Sequence, residues 1–167
     1  MSPAAFDWRP MEKADVPDVI QVAAQIHTDY PEADEIFMER QGLFPAGCLI
    51  FSHGGSTAGY LLSHPWHFAQ PPELDTLLQD IPAAPTTYYI HDLALLPDAR
   101  GTGAAHKAVE AACTIAVHES LATISLVAVG GSNPFWKAMG FADHAGPALT
   151  EKLKSYDEDA AFMVKRL

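Results

Sequence analysis

The sequence has little positive charge and no long apolar run, and each shortage excludes a class of protein. Lys and Arg number 10 against 21 Asp and Glu, which gives a formal net charge of −11. Proteins that bind nucleic acid normally carry a basic face, so we expect no nucleic-acid partner. No stretch reaches the ~18 consecutive apolar residues of a transmembrane helix, so we also expect no membrane segment.

Cysteine is too rare for a disulfide framework. The two cysteines, Cys48 and Cys113, form no Cys-x-x-Cys pair, and their apolar neighbours favour buried packing over catalysis. The N-terminal MSPAAFDW has neither the basic nor the apolar region of a secretory signal. We therefore expect a cytoplasmic protein.

The residues that are abundant indicate a folded domain. Apolar residues make up 49% of the chain and charged residues 19%, a composition that supports a core and excludes general disorder. The length of 167 residues suits one domain, and neither a repeat nor a linker divides it. We expect a single domain over residues 1–167.

Apolar periodicity predicts alternating strands and helices. In the first half we predict a strand at 6–10, helices at 15–27 and 32–41, and a hairpin of 48–53 with 57–63 across Gly54-Gly55. In the second half we predict strands at 86–95, 123–129 and 160–164, and helices at 103–118 and 133–139. The proline-rich stretch 65–85 predicts a long loop with one helical turn around 74–78. The class is therefore α/β with a mixed sheet.

The most informative segment lies between the strand 86–95 and the following helix. It reads Arg-Gly-Thr-Gly-Ala-Ala over residues 100–105. Glycine lets a ligand approach the backbone, and a helix N-terminus offers free N–H groups and the positive end of its dipole. This geometry suits a diphosphate, although the same glycines would serve an ordinary packing turn. The segment is neither a P-loop nor a three-glycine dinucleotide-binding fingerprint.

Two motifs together resemble the signatures of the GNAT superfamily of N-acyltransferases. Arg100, Gly103 and Ala105 match its acyl-CoA signature, Arg/Gln-x-x-Gly-x-Gly/Ala. About 30 residues later, the sequence NPFWKAMGF at 133–141 resembles its second signature, an aromatic pair followed by Gly-Phe. The order of elements fits over essentially the whole chain. The resemblance implies a mixed, mostly antiparallel twisted sheet flanked by helices on both faces.

The resemblance also implies an activity and its binding residues. Acetyl-CoA would be the co-substrate, and an acetyl group would pass to a primary amine of a small molecule or peptide. In the family, the strand before the glycine turn splays from its neighbour, and the gap holds the pantetheine arm. The binding residues implied here are the main chain of Leu93, Ala94 and Leu95, the amides of Arg100, Gly101, Thr102, Gly103, Ala104 and Ala105, and Asn133, Phe135 and Trp136. For Asn133, capping of the short helix is the alternative.

An amine must be neutral to attack, so the reaction needs a base. Alternation along the strand places Tyr89 and His91 on one face and Asp92 on the other, unless a bulge re-aims them. His91 is the first candidate base because of its ordinary pKa near 6.5, and Asp92 is the second. The alternative for His91 is simple burial within the strand.

The residue that would protonate the leaving thiolate departs from the family pattern. The family's usual donor is a tyrosine at the position of Trp136, whose indole cannot supply a proton. Tyr88 or Tyr89 could replace it, the thiolate could leave unassisted, or activity could be weak or lost. The alternative function is therefore a CoA-binding sensor or regulatory module with little turnover. A nucleotide-binding α/β domain unrelated to CoA is the third hypothesis.

The remaining features point to no second chemistry. His64 and His67 lie three apart in the proline-rich loop, away from any predicted helix, so we expect no metal site. Four aromatic residues could line an acceptor pocket: Tyr30, Phe37, Trp66 and Phe68. Three acidic residues could hold a cationic amine or form a solvated face: Glu73, Asp75 and Asp80. The sequence leaves the acceptor open, and it leaves a homodimer open as well.

Overall fold

A single seven-stranded sheet, in the order β1-β2-β3-β4-β5-β7-β6, organises the computed structural model. The structure describes residues 6–167, with the backbone alone for Phe6 and Asp7. The strands are β1 (Phe6–Pro10), β2 (Cys48–His53), β3 (Ser56–Trp66), β4 (Thr87–Leu95), β5 (Thr123–Ala128), β6 (Ala142–Asp143) and β7 (Ala161–Arg166). The helices are α1 (Val16–Ile26), α2 (Asp34–Leu43), α3 (Ala104–His118), α4 (Asn133–Ala138) and α5 (Pro147–Leu153).

Most predicted elements are present, and the differences concern short or proline-containing segments. Helix α2 continues through Gly42 to Leu43, two residues beyond the predicted end at 41. Strand β3 continues through Pro65 to Trp66, because Pro65 lies near the strand end and costs the ladder only one donor. The stretch 74–78 is not helical. Strand β6 has two residues and α5 has seven, too few for a periodic pattern in the sequence, and neither was predicted.

Helices cover both faces of the sheet. Alternation along β3 places Tyr60 and Leu62 against α1 and α2, in a cluster that includes Val19 and Phe37. Leu61 points to the opposite face, where it joins a cluster that includes Val109 of α3. All neighbouring strands are antiparallel except β4 and β5. The predicted class, a mixed and mostly antiparallel sheet between helices, is confirmed.

Strands β4 and β5 part soon after they meet. Their parallel pairing covers three residue pairs and ends at Ile90–Leu126, whereas β4 continues to Leu95. Beyond Ile90, the edge of β4 that faces β5 has no strand partner. The gap between the two strands positions the site described below.

A bulge interrupts β4 at the point where the strands part. Ser63 of β3 pairs with Ile90 and Leu62 pairs with Asp92, so His91 has no partner on β3. One extra residue in a strand shifts the alternation of side chains from that point onward. The side chains after the bulge therefore lie on the faces opposite to those that strict alternation would give.

Close packing of β3 on β4 predicts a strong effect of a single methyl group. A Cβ atom on Gly59 would lie 2.5 Å from Leu95 Cδ2 and 2.7 Å from the Ala94 carbonyl oxygen. We expect Gly59→Ala to lower the free energy of unfolding by about 1–3 kcal/mol, measured by urea denaturation. The matched control is Gly42→Ala in α2, where a Cβ meets nothing within 4 Å. This control should raise stability by about 0.5–1 kcal/mol, and equal effects at the two positions would contradict the packing described.

Candidate functional site

A cleft of about 530 Å³ occupies the gap between β4 and β5. Its walls come from the end of α1, from β4 and β5, from the glycine turn and from α4. The lining includes most residues predicted from the sequence: His91, Asp92, Leu93, Leu95, Arg100, Gly101, Gly103, Ala104, Ala105, Phe135 and Trp136. Four predicted residues do not line it: Tyr89, Ala94, Thr102 and Asn133.

The glycine turn has the backbone conformation that an anion site needs. Gly101 and Gly103 have φ of 77° and 84°, which side chains rarely adopt, and a Cβ at either position would meet nothing within 4 Å. The open space beside the turn leaves room for a ligand against the main chain. The first amides of a helix have no partner within it, so those at the start of α3 can bind an anion.

Two of the amides that the sequence predicted to bind a ligand are already hydrogen-bonded within the protein. The Arg100 N–H donates to the Pro97 carbonyl at 3.1 Å, so it is not available to a ligand. Thr102 acts inside the turn instead: its hydroxyl donates to the Ala99 carbonyl at 2.6 Å and accepts from the Ala104 N–H at 3.3 Å. The Ala104 amide is therefore also occupied. The predicted amides that remain available to a ligand are those of Gly101, Thr102, Gly103 and Ala105.

The unpaired edge of β4 supplies polar main-chain groups along the cleft. Leu93 and Leu95 line the cleft, whereas the Ala94 side chain is buried on the opposite face with α1. A strand edge without a partner offers alternating N–H and C=O groups to an extended ligand. The cleft thus combines a strand edge at one end with an anion site at the other.

The bulge brings His91 and Asp92 to the same side of the sheet. Asp92 Oδ1 lies 2.8 Å from His27 Nε2, at the end of α1, and Asp92 Oδ2 accepts from the Tyr60 hydroxyl at 2.5 Å. His91 Nε2 lies 2.8 Å from Glu32 Oε1, on the face of the sheet that α1 and α2 cover. The sequence predicted His91 and Asp92 on opposite faces. That prediction is wrong, because the bulge shifts the alternation between them.

His91 is less accessible than a base should be. Its side chain is 3% exposed, one ring nitrogen faces Glu32, and the other, Nδ1, is buried without a partner. His27 is 24% exposed and lines the cleft. Burial acts to lower the pKa of His27, but the hydrogen bond and charge of Asp92 outweigh burial and raise it above its ordinary 6.5.

The tyrosines proposed as proton donors lie outside the cleft. Tyr89 is fully buried and its hydroxyl shares a hydrogen bond with Tyr156, so its predicted catalytic placement is corrected. Tyr88 is buried with its hydroxyl 2.8 Å from Ser63 Oγ. Trp136 is buried between Phe135 and Phe141, with ring centroids 4.9 and 5.4 Å away, and forms part of the cleft wall.

Asn133 does not cap α4, which was its alternative role. Ser132 occupies the N-cap position, and its hydroxyl donates to the Val129 carbonyl at 2.7 Å. Asn133 is the first helical residue and is half-buried. Ser132, rather than Asn133, lines the cleft.

Sequence reasoning missed His27, Glu32 and Tyr60. His27 and Asp92 are 65 residues apart and His91 and Glu32 are 59 apart, so no local motif links them. The available signal was weak: His27 directly follows a helix whose apolar side must pack on the sheet. That placement brings the end of α1 near β4 but does not select the partner residue.

A second cavity of about 330 Å³ adjoins the cleft. It lies between the end of α1 and the start of α2, and His27 and Asp92 belong to the walls of both cavities. Tyr30 and Phe37, two of the predicted pocket residues, line it. The predicted amine ligand Asp75 has a structural role instead, because its carboxylate accepts from the Ala33 N–H at 2.7 Å.

Neither a metal-ligand cluster nor a membrane-spanning helix is present within residues 6–167. In that part of the chain, no three His, Cys, Asp or Glu side chains are grouped so that they could hold a metal ion. None of its helices combines the length and apolarity needed to cross a bilayer.

The buried Glu32–His91 pair predicts a loss of stability in acid. Burial acts to raise the pKa of Glu32, but the charge and hydrogen bond of His91 outweigh it and hold the pKa at about 2, below the ordinary 4.5. A depressed carboxyl pKa stabilises the fold above pH 4.5, and this stabilisation is lost as the pH falls towards 2. We expect Glu32→Gln to reduce the change in unfolding free energy over this range. The exposed Glu35→Gln is the control, and a Glu32→Gln curve parallel to it would contradict the pairing.

Comparisons with known proteins agree with this geometry. Residues 12–141 match the acetyltransferase (GNAT) family. The fold resembles Ard1 from Thermoplasma volcanium, with a TM-score of 0.73 and 16% identity over 98% of this chain and 99% of that one. It also resembles Naa50 from Arabidopsis thaliana in complex with the bisubstrate analogue CoA-Ac-MVNAL, with a TM-score of 0.73 and 11% identity over 98% and 100% of the two chains.

A third similar structure is the GphF GNAT-like decarboxylase in complex with isobutyryl-CoA, with a TM-score of 0.77 and 11% identity over 96% of this chain and 98% of that one. No curated protein sequence matches the chain. These identities show a shared fold, whereas the family match covers more than half of the sequence. The protein therefore belongs to the GNAT family of acetyltransferases, as its two sequence motifs predicted.

Proposed function

We propose that this protein transfers an acetyl group from acetyl-CoA to a primary amine. The observation that carries the proposal is the continuity of the β4–β5 cleft: the glycine-turn amides stand at one end and the His27–Asp92 pair at the other. An extended thioester with a diphosphate at its far end fits both features. Naa50 and the GphF decarboxylase have CoA-derived ligands in their structures, which supports the same use of the fold here.

In this proposal the diphosphate of acetyl-CoA binds the amides of Gly101, Thr102, Gly103 and Ala105. The positive end of the α3 dipole strengthens these contacts. Trp8 anchors the start of α3, because its indole N–H donates to the Ala104 carbonyl at 2.9 Å. The pantetheine arm then lies along the unpaired edge of β4, and the thioester reaches the point where the strands part, beside Asp92.

His27 acts as the base. Its Nε2 faces the Asp92 carboxylate, so the neutral imidazole donates there and keeps its lone pair on Nδ1. Asp92 is a positioning residue that fixes this tautomer and orients the ring, and the Tyr60 hydroxyl in turn holds Asp92. His91 faces Glu32 instead and supports the bulge.

The chemical step is a direct transfer. The neutral amine nitrogen forms a bond to the thioester carbonyl carbon, the carbon–sulfur bond breaks, and the amine proton passes to His27. The thiolate takes a proton from water, and the imidazolium of His27 returns its proton to solvent. Protonation by water is supported by the cleft lining, which contains no tyrosine within residues 6–167.

A CoA-binding sensor with little turnover is the second candidate. The observation that favours it is Trp136, which stands in the cleft wall where the family has its usual tyrosine. A sensor would bind acetyl-CoA as tightly as an enzyme but release no thiol in the presence of amines. The two functions therefore differ in turnover rather than in binding.

The diphosphate site is tested by a charge placed in the glycine turn. We expect Gly103→Glu to weaken acetyl-CoA binding at least about a hundredfold in calorimetry, because a carboxylate would occupy the anion site. Gly54→Glu is the matched control: Gly54 also has a positive φ, 61°, with nothing near its Cβ, but lies in the β2–β3 turn. Equal affinity of the two variants would contradict the site.

The base is tested by turnover and its pH dependence, followed as free CoA thiol released with an amine. We expect kcat/KM of the wild type to rise with pH through a value above 6.5, as His27 loses its proton. His27→Gln should lower kcat by about 10²- to 10⁴-fold with unchanged acetyl-CoA affinity. Asp92→Asn should move the rise to lower pH, because the carboxylate that raises the pKa of His27 is gone.

The control for His27 is His118→Gln, at a side chain that is 86% exposed on α3 and lines neither cavity. It should leave the activity unchanged. An unaltered pH profile in His27→Gln would contradict the assignment of the base. Acetyl-CoA binding without thiol release from any amine would support the sensor instead.

A further inference from the structure

The second cavity opens to solvent within the α1–α2 connection. Its rim consists of exposed residues: Ala24, Thr28, Pro31 and Asp34. Its floor includes the buried Ala23 and Phe37. The inner wall is the His27–Asp92 pair, which also lines the cleft. A molecule that enters through this rim reaches the proposed base, which also lines the cleft.

A hydrogen bond between two side chains bridges the α1–α2 connection and the segment between β6 and β7. The Tyr30 hydroxyl donates to the Asp157 carboxylate, and the same carboxylate accepts from the Gly130 N–H at 3.3 Å. This bond joins the residues after α1 to those before β7 and to the end of β5. The hydrogen bond to Asp157 raises the pKa of Tyr30 to about 12.

The proline-rich β3–β4 connection closes the remaining side. The Asp75 N–H donates to Glu32 Oε2 at 3.0 Å, and the Asp75 carboxylate holds the Ala33 N–H. Three residues before Asp75, the Pro72 carbonyl accepts from the Tyr156 hydroxyl at 2.7 Å. The three connections are thus bonded to one another beside the cavity.

The charge of the cavity is one-sided. Three carboxylates line it, those of Glu32, Asp34 and Asp92, and no Lys or Arg does. Glu32 and Asp92 are each bonded to a histidine, whereas Asp34 stands exposed at the rim. A wall of one sign attracts a ligand of the opposite sign. The volume equals that of about eleven water molecules, enough for a short aliphatic chain.

We infer that the acceptor is a small amine with a second positive charge, such as an alkane diamine, and that it is preferred over a peptide. The inference rests on the proposed function. One amine reaches His27 and loses its proton there, the aliphatic chain lies against Phe37, and the second ammonium group stays at the rim beside Asp34. A peptide N-terminus is disfavoured, because the residues behind it would have to pass connections that are bonded to one another.

The acceptor class is tested with three amines at saturating acetyl-CoA: 1,4-diaminobutane, 1-aminobutane and a hexapeptide with a free N-terminus. We expect kcat/KM for the diamine to exceed that for 1-aminobutane at least about tenfold, since only the diamine keeps a charge for Asp34. We expect the peptide to be the poorest of the three.

A matched pair of variants tests the contribution of Asp34. Asp34→Asn should raise KM for 1,4-diaminobutane about three- to tenfold, with kcat unchanged and with no effect on 1-aminobutane. Glu35→Gln removes the same charge from the neighbouring exposed residue, which lines neither cavity, and should leave both amines unaffected.

The outcomes separate this inference from the proposed function. A peptide acetylated faster than the diamine, or a diamine KM that Asp34→Asn leaves unchanged, would overturn the inference while the transferase activity stands. Acetyl-CoA bound without turnover of any amine would overturn both.

Discussion

The whole site depends on the early end of the pairing between β4 and β5. Three residue pairs join these strands, and beyond them the main-chain groups of β4 have no strand partner on that side. A buried backbone group without a hydrogen bond costs about 1–3 kcal/mol, so the edge favours a ligand with polar groups along its length. Helices α3 and α4 hold the gap open on one face, through Val109 and Trp136 in one core cluster. The cleft is therefore a consequence of packing, and its ligand completes a sheet that the protein leaves incomplete.

The bulge at His91 determines which residues the cleft and the second cavity share. By shifting the alternation of β4, it places Asp92 beside His27 and leaves His91 with Glu32. Two cavities consequently share one wall, the His27–Asp92 pair. A thioester that arrives from one side and an amine that arrives from the other would meet at this pair, which is the geometry that a direct transfer requires.

The sequence predicted the parts of the site that are local in the chain. The glycine turn at 100–105 and the motif at 133–141 each lie within a few residues, and most of their members line the cleft. Strict alternation failed at Asp92, because nothing in the sequence of β4 reveals an extra residue relative to β3. The contacts of His27 and Glu32 span more than fifty residues and depend on how helices settle on the sheet. The family match confirmed the resemblance to the GNAT family, whereas the acceptor side could be interpreted only from the structure.

The most direct test of the account is a crystal structure of the protein with acetyl-CoA. The account predicts the diphosphate on the amides of Gly101, Thr102, Gly103 and Ala105, the pantetheine arm along β4 from Leu95 towards Asp92, and the thioester carbonyl carbon beside His27. A coenzyme bound outside the β4–β5 gap, or a thioester remote from the His27–Asp92 pair, would contradict it.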